Sequence, residues 1–271
     1  MDKSYEQLRK SDLTTVRQAI RQASYEAHTA GLGDGYLQTN LAIMPEAYAL
    51  DFMRYCQRNP KPCPLVGVSD TGNPMMFTLG GDIDIRTDVP SYNIYRHGVL
   101  DGSVRDLGDI WQDDFVAFAL GCSFTFERAL QEAGISLWHI DNNVTVPMYR
   151  TKIQTMPAGP FHGDMVVSMR MIDREQVSRA TEISRQFPWA HGAPVHAGDP
   201  EAIGIADLTR PDWGAPVPLN DNQVPMFWAC GVTPQVAVEA AKLPIFVSHK
   251  PGCMLITDVS DVAEIPNYQE N

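Results

Sequence analysis

The spacing of apolar and polar residues predicts two helices early in the chain. Residues 5–30 read as one helix that gives way to a loop at Gly31, Gly33 and Gly35. Residues 45–57 read as another, with Pro45 at a first helical position and a stop near Arg58-Asn59-Pro60, because a residue before proline resists helix. Leu65–Val68 then predicts a short buried strand. Gly80–Pro90 alternates apolar and polar residues, so it predicts a half-solvated strand with Asp82, Asp84, Arg86 and Asp88 on one face. An arginine among three carboxylates suits either a site or a surface ion network. Tyr92–Arg105 reads as a polar hairpin or loop around His97-Gly98.

Two later segments share one plan. Phe115–Gly121 is a continuous apolar strand, followed by a turn holding Cys122 and Ser123 and a helix running to about Gly134. Val224–Ala229 leads in the same way into Cys230-Gly231 and a helix, with Thr233 as the expected N-cap and Pro234 as its first helical residue. Continuous apolar strands followed by helices predict a parallel sheet covered on both faces. The expected fold is therefore α/β. A mostly parallel three-layer sheet domain, residues 1–144 plus 223–271, is interrupted by a smaller inserted α+β domain at 145–222, which contains a strand at Met165–Met169 and a helix near 173–186. Both cysteine turns would lie at carboxyl ends of strands, facing a cleft between the domains.

Composition narrows the class of partner. The 271 residues are 44% hydrophobic and 20% charged, an ordinary globular balance, and the net charge of −12 argues against nucleic acid or an anionic membrane surface. The charged N-terminal segment lacks a signal-peptide core, and no apolar run approaches the ~20 residues of a membrane span. Five cysteines at 56, 63, 122, 230 and 253 fit a reducing compartment, so a cytoplasmic protein is expected, and an acidic chain of this size is compatible with a homo-oligomer. The tail Ala263–Asn271 reads as loosely attached.

Candidate chemistry concentrates in His191-Gly-Ala-Pro-Val-His196-Ala-Gly-Asp199-Pro200, where glycines and prolines forbid regular helix and leave three titratable groups on loop backbone. The same groups could serve turns or caps. They could also ligate zinc, although their spacing lacks the helical H-E-x-x-H pattern, and no metal is expected. Cys122 and Cys230 precede helix N-termini, which can lower a thiol pKa, but a buried inert thiol is the commoner case. The turn amides, with Ser123, Gly231 and Thr233, suit a carboxylate or oxyanion. Arg86 and Arg150 could each grip a carboxylate or form an ordinary ion pair. His162 and His249 read as structural. The GLGDG glycines do not make a phosphate cradle, since no strand precedes them.

Several strings together resemble one family. CQRNPKPCPL (56–65), GDIDIRTDVP (81–90), LGCSF (120–124), VPMYRT (146–151), HGAPVHAGDP (191–200), IGIADL (203–208) and FWACGVTPQ (227–235) are similar to the D-glutamate cyclase family of hydro-lyases over residues 24–258. The resemblance implies reversible dehydration of D-glutamate to 5-oxo-D-proline with no redox cofactor, acting on a dicarboxylic amino acid or lactam. Chemistry then suggests roles for the candidates. His196 and Asp199 would be the acid/base pair, with His191 orienting or sharing that role. Arg150 or Arg86 would hold the α-carboxylate, and the amides after Cys122 and Cys230 the γ-carboxyl oxygens. Asp207 would bind the ammonium, order a histidine or cap local backbone. A non-catalytic module for an amino acid or lactam, or a metal-dependent amidohydrolase-like enzyme, would share these features.

Overall fold

A computed structural model describes residues 5–142 and 144–261; the tail beyond Val262 lies outside them. The elements run α1 (Tyr5–Leu8), α2 (Leu13–Arg21), β1 (Tyr36–Pro45), α3 (Glu46–Arg58), β2 (Leu65–Val68), β3 (Tyr92–Arg96), β4 (Val99–Val104), β5 (Phe115–Gly121), α4 (Phe124–Glu132) and α5 (Trp138–Asp141). There follow β6 (Met148–Gln154), β7 (Asp164–Asp173), α6 (Val177–Arg185), β8 (His196–Ala197), β9 (Gln223–Ala229), α7 (Val232–Ala241), β10 (Phe246–His249) and β11 (Leu255–Ser260).

The strands form two sheets. One has the order β2-β5-β1-β10-β3-β4, with β11 also paired to β1, and the other is β6-β7-β9-β8. Every pairing is antiparallel, so the expected parallel three-layer sheet is corrected to a mixed α/β fold with two antiparallel sheets. Strand β5 shows why its composition misled. All seven of its residues are buried, Phe115, Ala117 and Ala119 against a loop carrying Ile83, Ile85 and Val89, and Val116, Phe118 and Leu120 against α3 and α7. Two-sided burial removes the polar alternation whatever the strand direction.

The two strand–turn–helix units were expected in one sheet, but β5 belongs to the first and β9 to the second. Strand β9 pairs with β7 over seven residues, so the second sheet continues past residue 222. Helix α7 joins the two. Its Val232 and Val236 pack on Met148 and Val166 of the second sheet, while Ala237 and Val238 pack with Phe246, Tyr95 and Phe52 of the first. Helix α4 packs on the second sheet beside α6, with Phe126 and Leu130 against Met226, Trp228 and Ile172.

Local chemistry accounts for the other departures. Residues 5–30 are not one helix, because Asp12 caps α2 by accepting the Thr15 amide at 2.8 Å, and Ala23 then takes a left-handed φ of 53°. Thr233 is not the N-cap of α7; Gly231 is. Fully buried Thr233 instead accepts the Val166 amide at 3.0 Å and fixes the helix to β7. The hairpin is as expected, with His97 and Gly98 both at positive φ, the signature of a two-residue primed turn.

Residues 80–90 form turns rather than a strand. Ile83 and Ile85 are buried as the alternation required, but the acidic residues part company. Asp82 binds Arg17 and Arg21, Asp88 binds Arg21, and Asp84 takes Arg86 at 2.7 Å. Burial pushes the Asp88 carboxyl up, and Arg21 opposes that shift. Arg21→Ala should therefore cost about 3 kcal/mol at pH 7.5, because it strips the cation from a buried carboxylate. The loss should shrink at pH 5, where Asp88 can take up a proton. Urea unfolding at both pH values measures it, and an equal loss at each would contradict the account.

Candidate active site

The β5–α4 turn lies close against residues 188–190 and the β9–α7 turn close against Asn40, because each contains glycine where a side chain has no room. A Cβ on Gly121 would lie 1.5 Å from the Trp189 carbonyl oxygen, and one on Gly231 would lie 2.3 Å from Asn40 Nδ2. Asn40, from β1, donates that amide nitrogen to the carbonyls of Leu120 and Gly121 at 3.3 and 3.0 Å. It therefore fills the space between the turns. Neither α4 nor α7 has a side-chain cap bond at its N-terminus. Asn40 touches the turn that leads into each of them.

Cys122 and Cys230 belong to this region, and neither is an activated thiol. Burial pushes Cys122 up to about 12, with nearby Cys230 adding to the rise, and burial pushes Cys230 up to about 11. The helix N-terminus and a cation act in the other direction, but desolvation wins. Cys230 Sγ rests 3.5 Å from Met148 Sδ.

The cation is Arg170, on the inner face of β7 and 2% exposed. It donates to Glu127 Oε1 through both Nε (3.1 Å) and Nη2 (2.5 Å), to Ser123 Oγ at 3.0 Å and to Ser168 Oγ at 2.9 Å. The rings of Phe126 and Trp228 each lie 5.2 Å from its guanidinium carbon. Glu127 also meets His139 Nε2 at 2.9 Å. Burial would raise the Glu127 carboxyl, but His139 and Arg170 together hold it down to about 2. The pair is therefore ionised, with the positive guanidinium directly behind Ser123 at the start of α4.

His191 stands beside this pair. It is 1% exposed, adopts a left-handed φ of 76°, and hydrogen-bonds through Nδ1 to the Lys61 carbonyl at 2.8 Å. A carbonyl can only accept, so Nδ1 carries the proton and Nε2 keeps a lone pair. Burial lowers its pKa to about 4, and the charge of Arg170 contributes to the shift.

The other expected residues lie elsewhere or serve local structure. His196 Nε2 bonds the Asp199 carbonyl at 2.7 Å, and its ring stacks on Phe227. The Asp199 carboxylate is turned instead to the Glu201 amide at 3.0 Å, capping a turn, so the two residues expected as an acid/base pair meet through the Asp199 backbone rather than its side chain. Asp207 accepts from both Thr209 N and Oγ1. Arg86 is bound to Asp84, and exposed Arg150 lies over Trp213 at 4.9 Å. Among the described residues no three His, Cys, Asp or Glu side chains are grouped to hold a metal, the 191–199 set included. Cys122, Ser123, Cys230 and Gly231 do come together, whereas Thr233 works one turn further along α7. Asn40, Glu127, His139 and Arg170 were missed. Only Arg170 left a trace in sequence, as a charge on the buried side of an apolar strand, where it needs a partner.

A family model described as D-glutamate cyclase matches residues 116–258. A Dinoroseobacter shibae protein named “Putative hydro-lyase” is 71% identical over 97% of this chain and 87% of its own. Relatives with that name in Ruegeria pomeroyi (66%, covering 98% and 97%) and Jannaschia (58%, covering 96% and 97%) are similar over nearly their whole length. A nitrogen repressor-like protein of Methanococcus jannaschii aligns over 86% of this chain and 90% of its own with a TM-score of 0.38 and 11% identity, too faint a likeness to bear on the fold.

Two outcomes test this description of the site. Gly231→Ala should lower the melting temperature and separate the turns, because Asn40 is held by two carbonyls and has nowhere to retreat; a wild-type melt would refute the close approach. The second outcome concerns acid. His249, whose Nδ1 accepts the Leu41 amide at 3.1 Å, is lowered by burial to about 4, like His191. An unfolded histidine takes up its proton near 6.5, so between that value and about 4 the unfolded chain binds more protons. Stability is then intact above about pH 6.5 and falls as the pH drops toward 4. Urea midpoints at pH 7.5 and 4.5 should differ, and the gap should narrow in a His191→Gln/His249→Gln variant.

Proposed function

The chain belongs to the D-glutamate cyclase family, and from that premise we propose that it is a hydro-lyase working at the paired turns around Arg170. The reaction assigned to it is the interconversion of D-glutamate and 5-oxo-D-proline. In the closing direction the α-nitrogen attacks the γ-carboxyl carbon, the nitrogen gives up protons, and one carboxyl oxygen leaves as water. Such a step needs an unprotonated base and fixed donors for the tetrahedral oxyanion.

The observation that carries this reading is the meeting of two uncapped helix N-termini at Ser123 and Gly231 with a buried guanidinium behind them. That is a preorganised receptor for a carboxylate and for the oxyanion derived from it. Most Arg170 donors are already committed, so it acts through its charge rather than as a two-pronged clamp. His191 is the preferred base, because its Nδ1–H is tied to Lys61 and it stays neutral above about pH 4. His196 and Asp199 shape the loop that delivers it.

Purified protein incubated with each enantiomer of glutamate and of 5-oxoproline, with and without chelator, tests the reading directly. Interconversion of the D forms is expected. His191→Asn, which can still donate to the Lys61 carbonyl, should lower kcat by about 10²–10⁴, whereas His196→Ala should retain turnover. Unchanged rates in His191→Asn would remove the base assignment. Stabilisation by ligand without conversion would identify a binding module instead, and chelator-sensitive turnover would bring back the metal-dependent alternative.

A further inference from the structure

A cavity of about 730 Å³ lies against α4, whose Phe124, Thr125, Glu127 and Arg128 form part of its wall. Its mouth is exposed and carries Glu6, Arg9 and Asp34, while its inner wall includes Gln38, Thr125, Glu127 and His139. Gln38 and Thr125 are each only 5% exposed, and both carry a polar atom without a protein partner. The amide of Gln38 cannot be turned to cure this. Its Nε2 already donates to the carbonyls of Thr29 (3.0 Å) and Leu32 (2.8 Å), so the orphan is necessarily the acceptor Oε1.

Glu127 adds an acceptor with spare capacity to the two orphaned ones. All its hydrogen bonds, from His139 and from Arg170, fall on Oε1, and among the described residues none reaches Oε2. Thr125 Oγ1, with no partner of its own, can accept as well. Buried acceptors without donors are costly, and a group of them on the wall of one cavity marks a position for N–H donors. An ionised carboxylate among them favours a positive charge on the donor.

We propose that this cavity is a second binding site, one that takes the ammonium group of a small alkylamine. The ammonium donates to Gln38 Oε1, Glu127 Oε2 and Thr125 Oγ1, and the alkyl part extends toward Leu32 and Val146. The assignment does not rest on the carboxylate reading of the paired turns, and Glu127 is the residue common to both sites.

Titration calorimetry on the full chain tests it with three probes: butylammonium, tetramethylammonium, which is charged but has no N–H, and glutarate, which has carboxylates but no amine. Butylammonium should bind saturably and tetramethylammonium should not. Thr125→Val and Gln38→Leu should each weaken butylammonium about tenfold or more while leaving glutarate within about twofold. If Gln38→Leu loosens the loop that its amide pins, as a melting curve would reveal, the near-isosteric Thr125→Val decides. Absence of saturable butylammonium binding, equal binding of tetramethylammonium, or wild-type affinity in Thr125→Val would each overturn the proposal. Failure of glutarate alone to bind would count against the paired-turn reading and leave this one standing.

Discussion

The Arg170–Glu127 ion pair is the constraint to which the centre of this molecule answers. A guanidinium on the inner face of a buried strand is tolerated only when charge and hydrogen bonds compensate it. Glu127, Ser123 and Ser168 supply them, and the rings of Phe126 and Trp228 close the remaining surface. Glu127 and Ser123 both come from the start of α4, so satisfying Arg170 fixes where that helix begins relative to the second sheet. Since β5 leads into α4 and belongs to the first sheet, the same pair ties the two sheets together. Asn40 and the close approach at Gly231 complete the tie from the side of α7.

Local elements were the most legible part of the sequence. The helix after Pro45, the hairpin at His97-Gly98 and both strand–turn–helix units are where the pattern puts them, because capping, turn chemistry and apolar runs are short-range signals. Strand direction was not. Apolar runs report burial on two faces, and here β5 gains its second cover from α3, α7 and an irregular loop instead of from crossover helices. The Gly80–Pro90 alternation misled for a related reason: Ile83 and Ile85 do point inward, but Arg17 and Arg21, distant in sequence, draw Asp82 and Asp88 into turns.

The same distinction separates the site residues. Cys122, Ser123, Cys230 and Gly231 were legible as a group because each sits at a strand–helix junction, a feature visible in a window of ten residues. Asp199 and Asp207 look equally reactive in sequence, yet each carboxylate is taken by an amide two residues on, the usual behaviour of aspartate in a turn. Arg170 and Glu127 are 43 residues apart, and Asn40 and Gly121 are 81 apart. No local pattern pairs them; the β1–β5 pairing of the first sheet brings Asn40 to Gly121, and the packing of α4 on the second sheet brings Glu127 to Arg170.

One buried charge also sets the protonation of its neighbours in opposite chemical senses. His191 and Glu127 are both removed from water, and desolvation alone would leave both neutral. Arg170 reinforces that outcome at His191, where a second cation would be repelled, and helps reverse it at Glu127, where an anion is welcomed. The result at neutral pH is an imidazole left unprotonated chiefly by burial and a carboxylate ionised by His139 and Arg170 together. Neither needs to change state before a ligand arrives, so a substrate with protons to give and negative charge to develop meets an environment already arranged for both.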